Sequence, residues 1–212
     1  SMRGRWGLKD EFVVAYTGAL GLANDIPTIL RAAQRLGHRP DVRFLLVGDG
    51  KEKQGLEALA ATMGLQNVIF AGSVSKCQMP EVLAAADACV ATLMDIPMFR
   101  TTYPNKVFDY MAAGRPTILA IDGVIREVIE AAQGGIFVPP GDDQALAGAI
   151  LGLAEDRARA RALGESARAY VVEHFDRHRQ AEQFAALLQR LTSGKEPASA
   201  RLSAARHDET HR

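Results

Sequence analysis

Six short apolar runs, each followed by a stretch with helical spacing, constrain the fold of this chain more than any other feature. The runs are Phe12–Thr17, Val42–Val47, Val68–Ala71, Ala88–Leu93, Pro116–Ile121 and Gly135–Val138. Several are apolar without clean alternation, the pattern of strands buried on both faces. Strands that alternate with helices assemble into parallel sheets through right-handed crossovers. The spacing of apolar residues predicts helices over 25–36, 52–63, 75–86, 105–113 and 124–132. Three more, over 142–154, 156–173 and 177–191, follow with no strand between them. The expectation is an α/β fold: a doubly wound parallel sheet of about six strands with extra C-terminal helices. Asp25 is placed to cap the first helix, with Pro27 in its first turn, and Ser75 the helix that follows strand three. Ligands of such sheets sit beyond the carboxyl ends of the strands, where strand order switches. Attention therefore falls on the loops after strands one, two, four and five.

Length and charge narrow the class. At 212 residues the chain has room for one domain, read as 12–191, preceded by residues 1–11 and followed by 192–212. Ser1 ahead of Met2 resembles a protease scar, so 1–11 is read as scar and lead-in and the chain as a piece of something longer. Residues 192–212, rich in Ala, Ser, Arg and His, read as a flexible tail. Lys and Arg total 25, as do Asp and Glu, for a formal charge of zero. That balance lacks the basic footprint of a nucleic-acid binder. No 18-residue apolar window suggests a transmembrane span, and no signal peptide is evident, so the cytoplasm is the expected location. Cys77 and Cys89 read as buried free thiols. The five histidines, at 38, 174, 178, 207 and 211, show no metal-ligand spacing. Arg157, Arg159, Arg161 and Arg168 read as a solvated helix face, and Tyr170, Phe175 and Phe184 as core or interdomain packing.

Three segments carry possible chemistry. Gly18-Ala19-Leu20-Gly21 lies between a strand and a helix, where glycines admit a bulky anion to backbone N–H groups and to the positive end of the helix. The spacing is not that of a dinucleotide fingerprint, and no Walker lysine follows. Gly48-Asp49-Gly50 is a second glycine turn, either a tight strand exit or a shaper of the crevice. The richest segment runs from Pro104 to Pro116. Lys106 and Asp109 there share a helix face: the lysine suits a phosphate and the carboxylate a pair of vicinal hydroxyls, although their spacing equally allows an exposed ion pair.

The ordered set of motifs over residues 12–191 resembles the C-terminal half of a GT-B glycosyltransferase of the large retaining family numbered four. The matching pieces are Tyr16-Thr17-Gly18, Leu45 to Gly50, Asn67 to Gly72, Ala84 to Ala88, Asn105 to Pro116 and Gly134 to Asp142. The resemblance implies a Rossmann-like donor-binding domain for a nucleotide sugar, most often UDP-linked. It implies no metal and no cofactor beyond that substrate. Family members carry two glutamates eight positions apart around the loop that enters the Phe108-Asp109-Tyr110 helix. The second falls at Asp109, which should bind the ribose hydroxyls; the first falls at Thr101, which has no carboxylate. Backbone groups at Thr102, Tyr103 and Asn105 would face the diphosphate, while Pro104 has no N–H. The basic pair usual after strand one is replaced by Leu20 and Asn24, which leaves Lys106 to balance charge. The donor nucleotide is thus expected to touch Gly18, Ala19, Leu20, Gly21, Gly48, Asp49, Thr102, Tyr103, Asn105, Lys106 and Asp109.

The resemblance further implies sugar transfer, hexosyl or N-acetylhexosaminyl, to an acceptor hydroxyl in bacterial cell-surface glycan biosynthesis, such as lipopolysaccharide or polysaccharide. The expected partners are the nucleotide sugar, an N-terminal acceptor domain of the same polypeptide and an acceptor glycan or lipid-linked glycan. The full-length enzyme could sit peripherally on a membrane; no nucleic acid is expected. Half an active site should be inactive by itself. The departure at Thr101 keeps one alternative open, a non-catalytic nucleotide-binding or interaction module.

Overall fold

The computed structural model describes residues 2–193. They fall into two compact units divided after Val172. The first unit is built on six strands: β1 (Phe12–Thr17), β2 (Val42–Val47), β3 (Val68–Gly72), β4 (Ala88–Thr92), β5 (Thr117–Ala120) and β6 (Gly135–Phe137). Their order is β3-β2-β1-β4-β5-β6, and every neighbouring pair is parallel. Strands β1, β4 and β5 are buried along their whole length, as the unbroken apolar runs required. The switch in strand order falls between β1 and β4, so the loops leaving their carboxyl ends flank the crevice where a ligand is expected.

Helices α1 (Met2–Arg5), α2 (Ile26–Arg35), α3 (Lys53–Thr62), α4 (Met79–Ala85), α5 (Asn105–Ala112), α6 (Val124–Ala132) and α7 (Asp143–Glu155) follow in chain order, and α8 (Arg157–His174) runs past the division. One core joins Phe12, Val14, Tyr16, Phe44, Leu46 and Val90 of the sheet to Ile29 of α2, Leu56 of α3 and Ile150 of α7. Across the sheet, α5 and α6 lie against β4, β5 and β6, burying Val107, Tyr110, Met111, Ile125 and Ile129. The arginines of α8 are exposed while Ala160, Gly164 and Ala167 are buried, so the helix presents the solvated basic face that its sequence suggested. Its close approach needs glycine: a Cβ on Gly164 would lie 2.1 Å from the Gly114 carbonyl oxygen.

Several local expectations change. Asp25 stands at the start of α2 but makes no side-chain cap bond; its carboxylate accepts from the Thr28 hydroxyl at 2.6 Å instead. The helix expected over 75–86 is a 3-10 turn (Lys76–Gln78) leading into α4, and Cys77 is exposed there because that turn has no apolar face to bury; Cys89, in β4, is buried. The segment between β4 and α5 holds a 3-10 turn at Pro97–Thr101. Within the stretch read as lead-in, Arg3 of α1 donates to the carbonyls of Ala85, Lys9 and Glu11 and pairs with Asp87 at 2.6 Å. The second unit contains α9 (Arg177–Ser193), whose Phe184 is exposed rather than packed. Of the stretch read as a tail, Thr192 and Ser193 close α9, and 194–212 lie outside the described residues, as do His207 and His211.

Candidate functional site

The loop after β1 is built by its neighbours. Gly18 donates its N–H to Val47 and Leu20 donates to the Asp49 carbonyl at 2.8 Å, so the first glycine turn lies directly on the second. A Cβ on Gly48 would fall 1.8 Å from the Gly18 carbonyl oxygen, and one on Gly50 2.3 Å from the Leu20 carbonyl oxygen. Glycine at both positions is thus a condition for two backbones to touch. Gly48 and Asp49 act as the seat of the first loop, and the Asp49 carboxylate accepts from the Gly50 N–H at 2.8 Å. Leu20 is fully buried, with its N–H already engaged. What the loop leaves unpaired, among the described residues, are the N–H groups of Ala19, Gly21 and Leu22.

Helix α5 meets this loop from the far side of the switch. Tyr110, fully buried, accepts from the Thr17 N–H at 2.9 Å and fixes α5 to the last residue of β1. Lys106 then reaches back to β1. Its ammonium donates to the Tyr16 hydroxyl at 2.7 Å and to the Asn24 side-chain oxygen at 3.0 Å, and it lies 4.1 Å from the Tyr16 ring centroid. The Tyr16 hydroxyl in turn donates to the Ala19 carbonyl at 2.8 Å. The same ammonium stands 2.9 Å from where a Cβ on Gly18 would be, so the cation occupies the floor of the glycine loop. Burial pushes Lys106 down to about 8, and no carboxylate offsets that desolvation. Burial also pushes the Tyr16 and Tyr110 hydroxyls above the ordinary tyrosine range, so both are neutral donors at physiological pH.

The start of α5 adds backbone donors. No side chain caps it: Pro104 precedes it, and the N–H groups of Asn105 and Lys106 have no partner among the described residues. An uncapped helix start is a place of positive potential. Thr101 and Thr102 both donate their hydroxyls to the Met98 carbonyl, at 3.2 and 3.4 Å, and Tyr103 is exposed, its ring 6.4 Å from that of Phe108. One turn along α5 from Lys106, Asp109 is exposed on the rim of a groove of about 530 Å³. Val74, Met79, Pro80 and Leu83 give that groove apolar walls, with Lys76 beside them.

The expected site residues thus separate by task. Lys106 and Gly18 meet directly; Ala19, Gly21 and Asn105 supply unpaired N–H groups near them; Asp109 stands at the neighbouring groove. Leu20, Gly48 and Asp49 brace the loop. Sequence reasoning missed Tyr16 as the group that holds Lys106, and it missed the groove formed by the residues after β3. A tyrosine closing a strand just before a glycine turn was the available signal for the first. The second depends on where α4 lies relative to α5, which no local pattern reports. Among the described residues no group of three or more His, Cys, Asp or Glu could hold a metal ion.

Comparison with known proteins decides the family. Residues 11–156 match the family described as Glycosyl transferases group 1. The chain belongs to that family. It is 27% identical over 157 residues to alpha-D-kanosaminyltransferase of Streptomyces kanamyceticus, covering 73% of this chain and 39% of that protein. Its fold is similar to that of Anabaena HepE in complex with UDP, with a TM-score of 0.80 and 25% identity over 89% of this chain and 51% of that one. It also superposes on the C-terminal domain of the group 1 glycosyl transferase LpcC of Francisella tularensis, with a TM-score of 0.70 and 19% identity, covering 84% of this chain and 94% of that domain. The last likeness shows the fold alone. The chain therefore spans about two fifths of the kanosaminyltransferase and half of HepE. Its sheet is one half of the GT-B architecture that this group 1 glycosyl transferase family shares. No helix among the described residues is long and apolar enough to cross a membrane.

Proposed function

We propose that this group 1 glycosyl transferase domain binds the nucleoside diphosphate of a donor sugar, UDP-linked, in the crevice between the β1 loop and α5. The observation that carries the reading is Lys106, whose partly buried ammonium lies against Gly18 and has no carboxylate as hydrogen-bond partner among the described residues. A diphosphate laid across Gly18, Ala19 and the start of α5 would meet that cation and the unpaired N–H groups together. As the sugar leaves, negative charge grows on the diphosphate, and preorganised donors stabilise it without reorganising. Asp109 is the proposed ribose ligand, since an ionised carboxylate accepts from two vicinal hydroxyls. The groove beside it, lined by Val74 and Leu83, is of a size and polarity to take the base.

The sugar would pass to a hydroxyl of a cell-surface or lipid-linked glycan, in the cytoplasm, and an acceptor domain outside this sequence would complete the active site. The bound UDP of the HepE structure supports the choice of nucleotide. Thermal unfolding with UDP, GDP, ADP and CMP tests it. UDP should raise the Tm most. Silence from all four would overturn the nucleotide reading, and a larger rise with GDP would overturn the choice of base.

A further inference from the structure

We propose a second anion site, for a free tetrahedral oxyanion of the phosphate class, at the edge of the sheet opposite the nucleotide crevice. There the amino-terminal ends of β1, β4 and β5 meet the first turn of α8 around a cleft of about 120 Å³. A water needs only about 10–15 Å³ of such space, so the cleft has room for a small oxyanion together with water. Arg115, Arg157 and Arg161 line it.

None of the three guanidinium groups has an ion-pair partner among the described residues. Arg157 is held in place by its bond to the Asp10 carbonyl at 2.7 Å and by the Phe12 ring 5.7 Å away. Arg115 donates from one terminal nitrogen to the Ala84 carbonyl at 3.2 Å, while its Nε–H is buried with no acceptor among the described residues. A buried donor of a charged group without a partner is costly, and an oxyanion accepting from it would remove that cost. The carboxylate that also lines the cleft, Asp87, already accepts from Arg3 at 2.6 Å and from the Val13 N–H at 2.8 Å. It neutralises Arg3; Asp41 offsets part of the Arg157 charge from outside the cleft, and Arg115 and Arg161 have no carboxylate in ion-pair contact among the described residues. Guanidinium groups lining one cleft offer it planar, multidentate donors, which suit phosphate oxygens.

The site shares no residue with the nucleotide crevice, so it stands or falls independently of the proposed function. Its test is a titration of inorganic phosphate followed through the arginine Nε–H resonances by NMR at constant ionic strength, with saturating UDP present or absent. The Arg115 resonance should shift saturably and identically in both. Arg161→Gln, an exposed position, should weaken phosphate about tenfold, the loss expected for one charge-assisted hydrogen bond. Arg159→Gln, on the same helix but away from the cleft, should leave it unchanged. A shift that never saturates, that UDP abolishes, or that Arg159→Gln weakens as much as Arg161→Gln would overturn the site.

Discussion

Lys106 concentrates the physical argument at the residue scale. Its ammonium is partly buried, yet the neighbours that hold it are a neutral tyrosine hydroxyl and an amide oxygen. Folding lowers its pKa to about 8 from an unfolded value of about 10.4. The protonated form is therefore disfavoured by folding. That cost is present in full below pH 8 and fades as the pH rises towards the unfolded value, so this group makes stability increase over that window. Nucleotide binding carries the opposite sign. A diphosphate beside Lys106 raises its pKa again, so UDP affinity should be flat just below pH 8 and fall above it by up to about tenfold per unit. Calorimetry at pH 7.5, 8.5 and 9.5 in buffers of different ionisation enthalpy reads both the affinity and the proton taken up. Affinity constant to pH 9.5 would contradict a protonated Lys106 in the complex. Tyr16→Phe removes one of the bonds that aim this ammonium, a loss of about 1 kcal/mol in UDP binding. Uridine, which has no phosphate, should bind that variant as it binds the parent.

Loops and helices explain why the cation is where it is. The two glycine turns lie backbone on backbone, and α5 is fixed to β1 through Tyr110 and Thr17. Gly48→Ala would drive a methyl group to within 1.8 Å of the Gly18 carbonyl oxygen, in a backbone conformation with φ +153° that side chains rarely adopt. We expect a loss of about 3 kcal/mol or more in stability, seen as a lowered midpoint in urea, together with weaker UDP binding because the first loop moves. A variant with unchanged midpoint would show that the loops do not rely on this contact. Tyr110→Phe leaves the Thr17 N–H unpaired in the core and should cost about 1–3 kcal/mol in the same measurement.

At the scale of the whole molecule, the parallel sheet was legible because each strand carries its burial in its own residues, as Phe12–Thr17 does, whereas strand order, and with it the switch between β1 and β4, is set by contacts distant in sequence. Helix α6 likewise lies where its apolar spacing placed it, over Val124–Ala132. What was not legible depends on residues far apart in the chain. Lys106 and Asp109 share a helix face in sequence, but only the position of β1 draws one of them towards Tyr16, and only the position of α4 gives the other a groove. Cys77 misled for the same reason, since apolar neighbours in sequence do not guarantee a surface to bury against. The chain spans half of HepE, so by the proposed function it should bind donor without turning it over; sugar transfer to added acceptor by this chain alone would contradict that division of labour.

In the proposed function Lys106 serves the phosphates and the neighbouring groove serves the nucleoside. Calorimetric titration of UDP and of uridine into the chain and into Lys106→Ala separates the two. The substitution should weaken UDP by about tenfold or more while uridine binding is unchanged. Equal losses for both ligands, or none for either, would contradict it.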